Sequence, residues 1–409
     1  MKGYEVSHLW ISFRIDLREA PTRMWLLLGE AASKCEHIAG VPLKPGLAAR
    51  LHRLFLAKGA LATTAIEGNT LSEEQVVEHL EGKLELPPSQ NYLAREIDNI
   101  AKACDRIWDE VRQGGPSTVS AQEIKAFNAL VLDGLEVDAG VEPGQVRRHI
   151  VGVGHYRGAP PEDCEFLLDR LCDWLNGSDF LPQSGFDLAM LIVKAVVAHL
   201  YLAWIHPFGD GNGRTARLVE FKILVGAGVP TAAAHLLSNH YNQTRSRYYR
   251  ELDRSSKSAS GPIDFLTYAT EGFVDQLSAQ IKMVRGEQWR IAWNDYVHEK
   301  FRDWRTASDL RRRDVVLALS RSMNMKPVAL AEIANLTPAL AASYATKTRK
   351  TLTRDIHALL QMGLIKPKDD GYRAAMGTIL AFLPGRRPAN RTRSDRNNLN
   401  DEAGSTPKV

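Results

Sequence analysis

The chain has 409 residues, 44% of them hydrophobic and 24% charged, and a formal net charge of +4 at pH 7. That length and hydrophobic content suffice for two or three domains with cores of their own. The internal repeats typical of solenoid proteins are not apparent in the sequence. The composition therefore predicts a globular, soluble protein and excludes a repeat array.

The cysteines and the apolar segments bear on the cellular compartment. The four cysteines, at positions 35, 104, 164 and 172, show neither C-x-x-C spacing nor the density of a secreted disulfide scaffold, which predicts reduced packing residues. The first residues lack the uninterrupted apolar stretch of a signal peptide, and the longest apolar stretch is interrupted by Lys194 and His199. We therefore expect a cytoplasmic protein without a membrane partner.

Residues 1–110 predict a mostly helical region. Apolar periodicity indicates helices at Met24–Ala39, which Gly40 ends, and at Leu47–Thr63. The second helix runs on towards a Glu-Gly-Asn sequence at 67–69, which is an ordinary signal for the C-terminal end of a helix.

Residues 143–161 differ from this helical pattern. An alternating stretch with turn residues, His149–His155, predicts a β-hairpin in an otherwise helical chain. Its first strand includes Ile150, Val151, Gly152 and Val153. A surface hairpin without a binding role fits the same pattern.

The next predicted elements are two helices joined by a glycine-rich loop. Residues Phe186–Ile205 are apolar at most positions and contain no Gly or Pro, which predicts a buried helix that delivers His206 at its C-terminal end. Pro207 then stops that helix. A second helix, from Arg214 to about Leu224, has free backbone N–H groups that point back into the loop. A phosphate binds well at such a helix N-terminus.

The loop residues are suited to phosphoryl chemistry. Glycines at 209, 211 and 213 allow the backbone to approach an anion closely. Asp210 offers an oxygen ligand for Mg²⁺, and Arg214 and Arg217 share one helical face that can neutralise a polyphosphate. His206 is the group in the loop that can accept a proton near neutral pH. A lone histidine at the end of an apolar helix is often only structural, but these neighbours favour catalysis.

The loop resembles the signature of the Fic-domain family, H-x-F-x-D/E-G-N-G-R-x-x-R, without any departure from the pattern. Other family landmarks occur in order over roughly residues 10–285. The resemblance implies a mostly α fold, in which a Fic-type helical core carries a β-hairpin flap. It also implies the transfer of AMP from ATP to a Ser, Thr or Tyr hydroxyl of a target protein.

The resemblance also implies a role for each loop residue. His206 would deprotonate the target hydroxyl, and Asp210 would hold Mg²⁺. Arg217 would meet the γ-phosphate of ATP, and Phe208 would anchor the loop in the core. The phosphates would be cradled and contacted by four further residues, Gly211, Asn212, Gly213 and Arg214. The segment that ends at Tyr249 resembles the family's region around the nucleotide base, although aromatic residues at helical spacing equally suit packing.

Two further segments take on roles from the same resemblance. The hairpin corresponds to the flap, in which residues His149–Val153 would align the target segment by strand addition. Upstream, Thr63, Glu67 and Gly68 resemble the family's inhibitory motif, S/T-x-x-x-E-G/N. If the Glu67 carboxylate reaches Arg217, it occupies the place of the γ-phosphate, so we expect autoinhibition.

From about residue 300 the chain becomes basic. Residues 301–388 contain 16 Lys and Arg against 7 Asp and Glu, a net charge of +9, whereas the whole chain carries +4. Helices predicted at Asp314–Arg321, Val328–Leu336 and Thr348–Met362, followed by a strand, turn and strand in Gly363–Arg373, have the order of a winged helix-turn-helix. The third helix carries four basic residues, Arg349, Lys350, Arg354 and His357. DNA binding and a packing or dimerisation module are both compatible with this pattern.

The predicted organisation is therefore an N-terminal helical region with the inhibitory helix (1–110), a Fic domain (111–285), a winged helix-turn-helix (300–385) and a disordered tail (386–409). Three functions stay open. They are an autoinhibited AMP transferase, an enzyme that removes AMP while Glu67 aligns a water, and a DNA-binding regulator whose core senses a nucleotide. An intact His206 favours catalysis, because sensing needs no base. A homodimer also stays open.

Overall fold

The computed structural model describes residues 2–115, 118–153, 156–181, 185–321 and 326–380. The chain divides into two compact units, residues 1–283 and 284–409, and each unit has a hydrophobic core. The N-terminal helical region and the segment that follows it share the first core. The tail predicted at 386–409 lies outside the described residues.

The first unit consists mainly of helices. In chain order the helices are α1 Tyr4–Ser7, α2 Thr22–Ala39, α3 Pro45–Ala65, α4 Glu73–Leu80, α5 Asn91–Arg112, α6 Ala121–Val131, α7 Pro161–Leu175, α8 Asp187–Ile205, α9 Asn212–Gly226, α10 Thr231–Ala234, α11 Leu236–Gln243, α12 Arg245–Ser255 and α13 Gly261–Lys300. Two short strands, β1 Gly152–Val153 and β2 Tyr156–Arg157, pair antiparallel between α6 and α7. The mostly helical fold with a β-hairpin, which the sequence predicted, is confirmed.

Helix α8 lies in the centre of the first core. Its sequence is apolar all round, and 15 of its 19 residues are buried, including Tyr201 and Trp204. It packs mainly against α9. Among the described helices, α8 is the one whose length and hydropathy would suit a membrane, but 83% of that apolar window is buried inside the protein. A buried core helix has this composition.

Helix α3 carries the segment that resembles the inhibitory motif. It is longer by two residues at each end than the predicted helix, and Pro45 occupies its first turn, where the missing N–H is not needed. Small residues let it pack closely against α11. A Cβ on Gly59, for example, would collide with the ring of His235. This packing brings the C-terminal end of α3 to the start of α9.

The β-hairpin is shorter than predicted. Pairing starts at Gly152, not at His149, and two of the predicted residues, 154 and 155, lie outside the described residues. One further bond, from the Gly158 N–H to the Val151 carbonyl at 3.1 Å, extends the pairing. It ends there because Pro160, opposite His149, has no N–H to donate, and the His149 carbonyl accepts a hydrogen bond from the Arg147 side chain at 2.7 Å instead.

The second unit contains the predicted three helices and hairpin together with one additional helix. Its core also includes Trp293 and Val297 from the last turns of α13. The elements that follow are α14 Ala307–Arg321, α15 Leu330–Ile333, α16 Pro338–Tyr344, α17 Arg349–Gln361, β3 Ile365–Lys368 and β4 Gly371–Ala374. Strands β3 and β4 pair antiparallel.

The prediction of a helix at Val328–Leu336 is wrong in extent. Val328 forms an isolated bridge with Tyr372 of β4, so the helix cannot begin before α15. Helix α16 was missed. The sequence signalled it, because the Thr337 hydroxyl caps the Leu340 N–H at 3.2 Å and Pro338 takes the first helical position.

A buried carboxylate holds the helices of the second unit together. Asp355 on α17 is fully buried and accepts hydrogen bonds from Arg311 and Arg312 of α14 at 2.8 and 2.9 Å and from the Tyr344 hydroxyl of α16 at 3.1 Å. Removal of this carboxylate would leave the buried Arg311 guanidinium without its counter-charge.

We predict that Asp355→Ala lowers the stability of the second unit by about 3 kcal/mol, because breaking a buried ion pair leaves its partners uncompensated. Hydrogen exchange of the α17 amides in the full chain measures this loss locally. The control is Asp370→Ala, which removes an exposed carboxylate from the turn before β4. Equal exchange in both variants would contradict the prediction.

Candidate active site

His206 sits at the end of α8 in a backbone conformation that is unusual for a residue with a side chain. Its φ and ψ are 50° and 59°, in the left-handed region, and its N–H donates to the Leu202 carbonyl at 3.0 Å. The Arg147 side chain donates to the His206 carbonyl at 2.7 Å. The Arg147 N–H bonds the next carbonyl, that of Pro207, at 3.0 Å. The conformation of the histidine is thus fixed from outside the loop.

The loop after His206 is closed by Asn212. The Asn212 amide accepts from the Phe208 N–H at 2.9 Å and donates to the Phe208 carbonyl at 2.8 Å. The ring of Phe208 is only 1% exposed, which agrees with its predicted role as an anchor. These two hydrogen bonds occupy the Asn212 side chain. The backbone N–H of Asn212 is therefore the donor that this residue can direct at an anion.

Asn128 on α6 supports the same loop, although no sequence motif marks this residue. Its amide donates to the Asp210 carbonyl at 2.9 Å and accepts from the Gly144 N–H at 2.9 Å. Gly211 has a φ of 75°, and a Cβ there would lie 3.0 Å from the Asn128 amide nitrogen. Glycine is therefore required at this position both for its φ and for space.

The start of α9 is an anion-binding position. The Thr215 N–H bonds the Gly211 carbonyl at 2.9 Å, so the three preceding N–H groups have no partner within the helix. A Cβ on Gly213 would collide with a carboxylate oxygen of Glu67. The Glu67 carboxylate therefore lies against the place where the helix N-terminus attracts negative charge.

Arg217 is held by the end of α3. Its guanidinium donates to the Thr63 hydroxyl at 2.6 Å, to the Thr63 carbonyl at 2.9 Å and to the Glu67 carboxylate at 2.6 Å. The side chain of Arg217 is 1% exposed and that of Glu67 is 31% exposed. Burial by itself would raise the pKa of Glu67, but the charge and hydrogen bond of Arg217, together with the charge of Arg214, outweigh that effect and lower the pKa. Glu67 is thus ionised at neutral pH.

Arg214 is held by a second carboxylate, Glu96 on α5, which the sequence analysis missed. The guanidinium donates to Glu96 at 2.9 Å and contacts both Asp210 oxygens at 3.4 Å. The Asn69 amide donates to the other Glu96 oxygen at 2.9 Å. Both arginines of the loop are therefore restrained by the chain around residues 63–69, Arg217 directly and Arg214 through Glu96.

His206 is in the neutral form that a general base requires. Burial, with a smaller contribution from the charge of the nearby Arg147, lowers the pKa of its imidazole to about 4. At neutral pH the ring is therefore unprotonated and can accept a proton.

These residues surround a cavity of about 660 Å³, a volume within the usual range for small-molecule sites. Predicted site residues in its wall are His206, Gly213, Arg217, Glu67 and Tyr249. Tyr249 is 36% exposed, and its hydroxyl donates to the Ile66 carbonyl at 3.4 Å. Among the described side chains of the flap, Tyr156 lines the cavity and residues 149–152 do not.

Asp210 fits the predicted role of a magnesium ligand. Its side chain is 50% exposed, and it is the carboxylate of the loop that can reach solvent. Within the described residues no group of three His, Cys, Asp or Glu side chains could hold a metal by itself. Magnesium commonly binds through one or two carboxylates together with substrate phosphates, so a single aspartate beside a phosphate site is sufficient.

Comparisons with known proteins agree with this geometry. Residues 118–224 match the Fic/DOC family. The chain is similar to protein adenylyltransferase fic-1 of Caenorhabditis elegans, with 30% identity over 190 residues, and to protein adenylyltransferase Fic of Drosophila ananassae, with 31% identity over 214 residues. These matches cover 46% and 52% of this chain but only 34% and 40% of the relatives, so the chain matches less than half of each relative's length.

Solved structures show the same fold. A Fic family protein from Desulfovibrio desulfuricans G20 has a TM-score of 0.54 at 21% identity, over 90% of this chain and 98% of that chain. Fic-1 from C. elegans has a TM-score of 0.52 at 24% identity, over 64% of this chain and 73% of that chain. Identities this low establish the fold and not the activity.

We predict that Thr63→Val lowers the free energy of unfolding by about 2 kcal/mol, because a buried hydrogen bond to a charged group is lost. The adjacent Thr64→Val variant is the matched control. Thr64 is also buried, but its hydroxyl donates to the Ala60 carbonyl within the same helix, so a smaller change follows. Urea unfolding compares the two variants, and equal losses would show that the bond between Thr63 and Arg217 adds nothing.

Proposed function

We propose that this chain, which carries a Fic-family domain in residues 118–224, is a protein adenylyltransferase that moves AMP from ATP to a hydroxyl side chain of a target protein. The observation that carries the proposal is the pairing of a neutral imidazole with an anion site in one cavity. His206, Gly213 and Arg217 line that cavity, whose size suits a nucleotide.

The reaction follows from this arrangement. The His206 imidazole accepts the proton of the target hydroxyl as the hydroxyl oxygen bonds to the α-phosphorus of ATP. The bond between the α-phosphorus and the oxygen that bridges to the β-phosphate breaks, and pyrophosphate leaves. The N–H groups at the start of α9, with Arg214 and Arg217, hold the phosphates. Asp210 would hold Mg²⁺, which supplies further positive charge when bound.

Glu67 is proposed to inhibit this reaction. Its carboxylate binds the Arg217 guanidinium and occupies the space beside Gly213. A γ-phosphate needs the same guanidinium, and two anions cannot share it. If the open arrangement is populated at about 1%, productive ATP binding is weakened about a hundredfold. Release requires movement of the end of α3.

We predict that Glu67→Gly increases self-labelling from α-labelled ATP at least about tenfold, because Arg217 is freed for the γ-phosphate. Adding His206→Ala to that variant should reduce labelling by about 10² or more while ATP binding is retained, since the base acts on the hydroxyl. Glu85→Gly, at an exposed glutamate away from the cavity, is the control.

Each alternative has its own outcome in the same experiment. If Glu67→Gly does not increase labelling, and protein carrying AMP loses it faster when Glu67 is present, Glu67 aligns a hydrolytic water. If labelled nucleotide binds to all variants but is transferred by none, the core senses a nucleotide.

Duplex DNA binding by the second unit is a second proposed function. The order of α14 to β4 corresponds to a winged helix-turn-helix. The specific observation in its favour is an exposed face of α17 formed by Arg349, Lys350, Thr353, Arg354 and His357. Within the described part of the chain these four basic side chains are exposed and form no ion pair. The opposite face of α17 packs into the core. Free positive charge on an exposed helix face suits phosphate contacts.

We predict that reversing the charge of Arg349, Lys350 and Arg354 to glutamate abolishes salt-sensitive binding of a labelled DNA duplex and leaves self-labelling intact. The matched control reverses three exposed arginines elsewhere in the unit, Arg302, Arg305 and Arg321. Absence of binding by the unmodified chain at low ionic strength, or an equal loss in the control, would rule out this helix as the DNA interface.

A cytoplasmic location is also proposed. The four cysteines are buried and free. Burial raises the pKa of Cys35 and Cys172 to about 12 and that of Cys164 to about 11, so these thiols stay protonated and unreactive. Such residues suit a reducing compartment.

A further inference from the structure

Arg147, immediately before the hairpin, is buried and bonds only to the backbone. Its side chain is almost fully enclosed, with 4% of the residue exposed. The three guanidinium nitrogens donate to three carbonyl oxygens, those of His206 at 2.7 Å, His149 at 2.7 Å and Ala159 at 2.5 Å. His149 lies on the segment that leads into the hairpin and Ala159 on the segment that leads out of it. One side chain thus joins both legs of the hairpin to the backbone of the proposed base.

The returning leg of the hairpin strengthens this connection. The Ala159 N–H donates to the Ile205 carbonyl at 3.2 Å, one residue before His206. A Cβ on Gly158 would lie 2.9 Å from both the Arg147 guanidinium and the His206 Cβ. Glycine therefore allows the hairpin to approach the histidine closely.

A contribution to the stability of the fold does not explain why residue 147 carries a charge. Within the described residues no carboxylate forms an ion pair with this guanidinium, and its hydrogen-bond acceptors are neutral carbonyls. A buried charge without a counter-charge destabilises a fold relative to an apolar side chain of similar size. A planar guanidinium does, however, fix several acceptors at defined directions at once, which an ammonium group cannot do.

We propose that Arg147 is a positioning residue for the protein substrate, which holds the hairpin at a fixed distance and orientation relative to the imidazole of His206. The inference rests on the proposed adenylyl transfer. A target segment aligned on the hairpin then presents its hydroxyl to the base. The groups proposed to hold the nucleotide and its magnesium lie on α9, on α12 and at Asp210 of the loop, and the Arg147 side chain forms no hydrogen bond with any of them. Its loss therefore affects transfer to protein and not the binding of ATP.

The test uses full-length protein carrying Glu67→Gly, in which transfer is measured without the inhibitory carboxylate. We expect Arg147→Lys and Arg147→Ala each to lower the rate of transfer to protein about 10²-fold, because small misplacements of reacting groups have effects of that size. The dissociation constant for Mg-ATP, from calorimetry, should change by less than about twofold. The matched control is Arg148→Lys and Arg148→Ala, at the exposed neighbouring arginine.

Two further measurements separate positioning from folding. Guanidinium ion at millimolar concentration should restore part of the transfer rate to Arg147→Ala but not to Arg147→Lys, whose side chain fills the space. Gly158→Ala should give the same pattern as loss of Arg147, with slow transfer and unchanged ATP binding, because its methyl group displaces the guanidinium.

The outcomes are distinguishable. If the Glu67→Gly parent and the unmodified chain bind Mg-ATP but transfer no AMP, the proposed function is wrong and this inference is overturned with it. If the parent transfers AMP and the Arg147 variants match the Arg148 variants, the inference alone is overturned. Parallel loss of transfer, ATP binding and melting temperature, without rescue by guanidinium, would make Arg147 a purely structural residue and overturn the inference as well.

Discussion

The unpaired backbone N–H groups at the start of α9 are the constraint on which the first unit depends. A helix N-terminus that ends in a cavity attracts an anion, and Arg217 adds a full positive charge beside it. In this structure the anion beside Arg217 belongs to the same chain and is the carboxylate of Glu67. A phosphate of the proposed substrate would occupy the same place. Catalysis and inhibition are then competition between two anions for one site.

The proposed competition also determines what could release the Glu67 carboxylate from Arg217. Arg217 is buried, so it cannot lose the Glu67 carboxylate without another negative charge in its place. A γ-phosphate supplies that charge, provided that the end of α3 moves. The same segment also restrains Arg214, through Asn69 and Glu96. Movement of a single helix end therefore changes the environment of both phosphate-binding arginines together.

The sequence predicted the loop and helix α8 well because the residues that determine each of them are neighbours in the sequence. The residues from His206 to Arg217 are contiguous. A long apolar stretch without Gly or Pro favours a buried helix. Asn128, Glu96 and Arg147 were missed because each reaches a loop 59 to 118 positions away, through ordinary amide, carboxylate or guanidinium groups. The hairpin was predicted too long for a related reason. The acceptor that ends its pairing is occupied by a side chain and not by a strand.

The low pKa of His206 explains why orientation matters at this site. An imidazole with a pKa of about 4 is fully available at neutral pH, but it is a weak base. It removes a proton efficiently only once the hydroxyl oxygen has begun to bond to phosphorus and its proton has become acidic. Negative charge nearby, including that of Glu67, raises the pKa of His206, and incoming phosphates act in the same sense. In the proposed transfer the phosphate charge takes the place of the Glu67 carboxylate, so the action of this base depends on a hydroxyl already held in line.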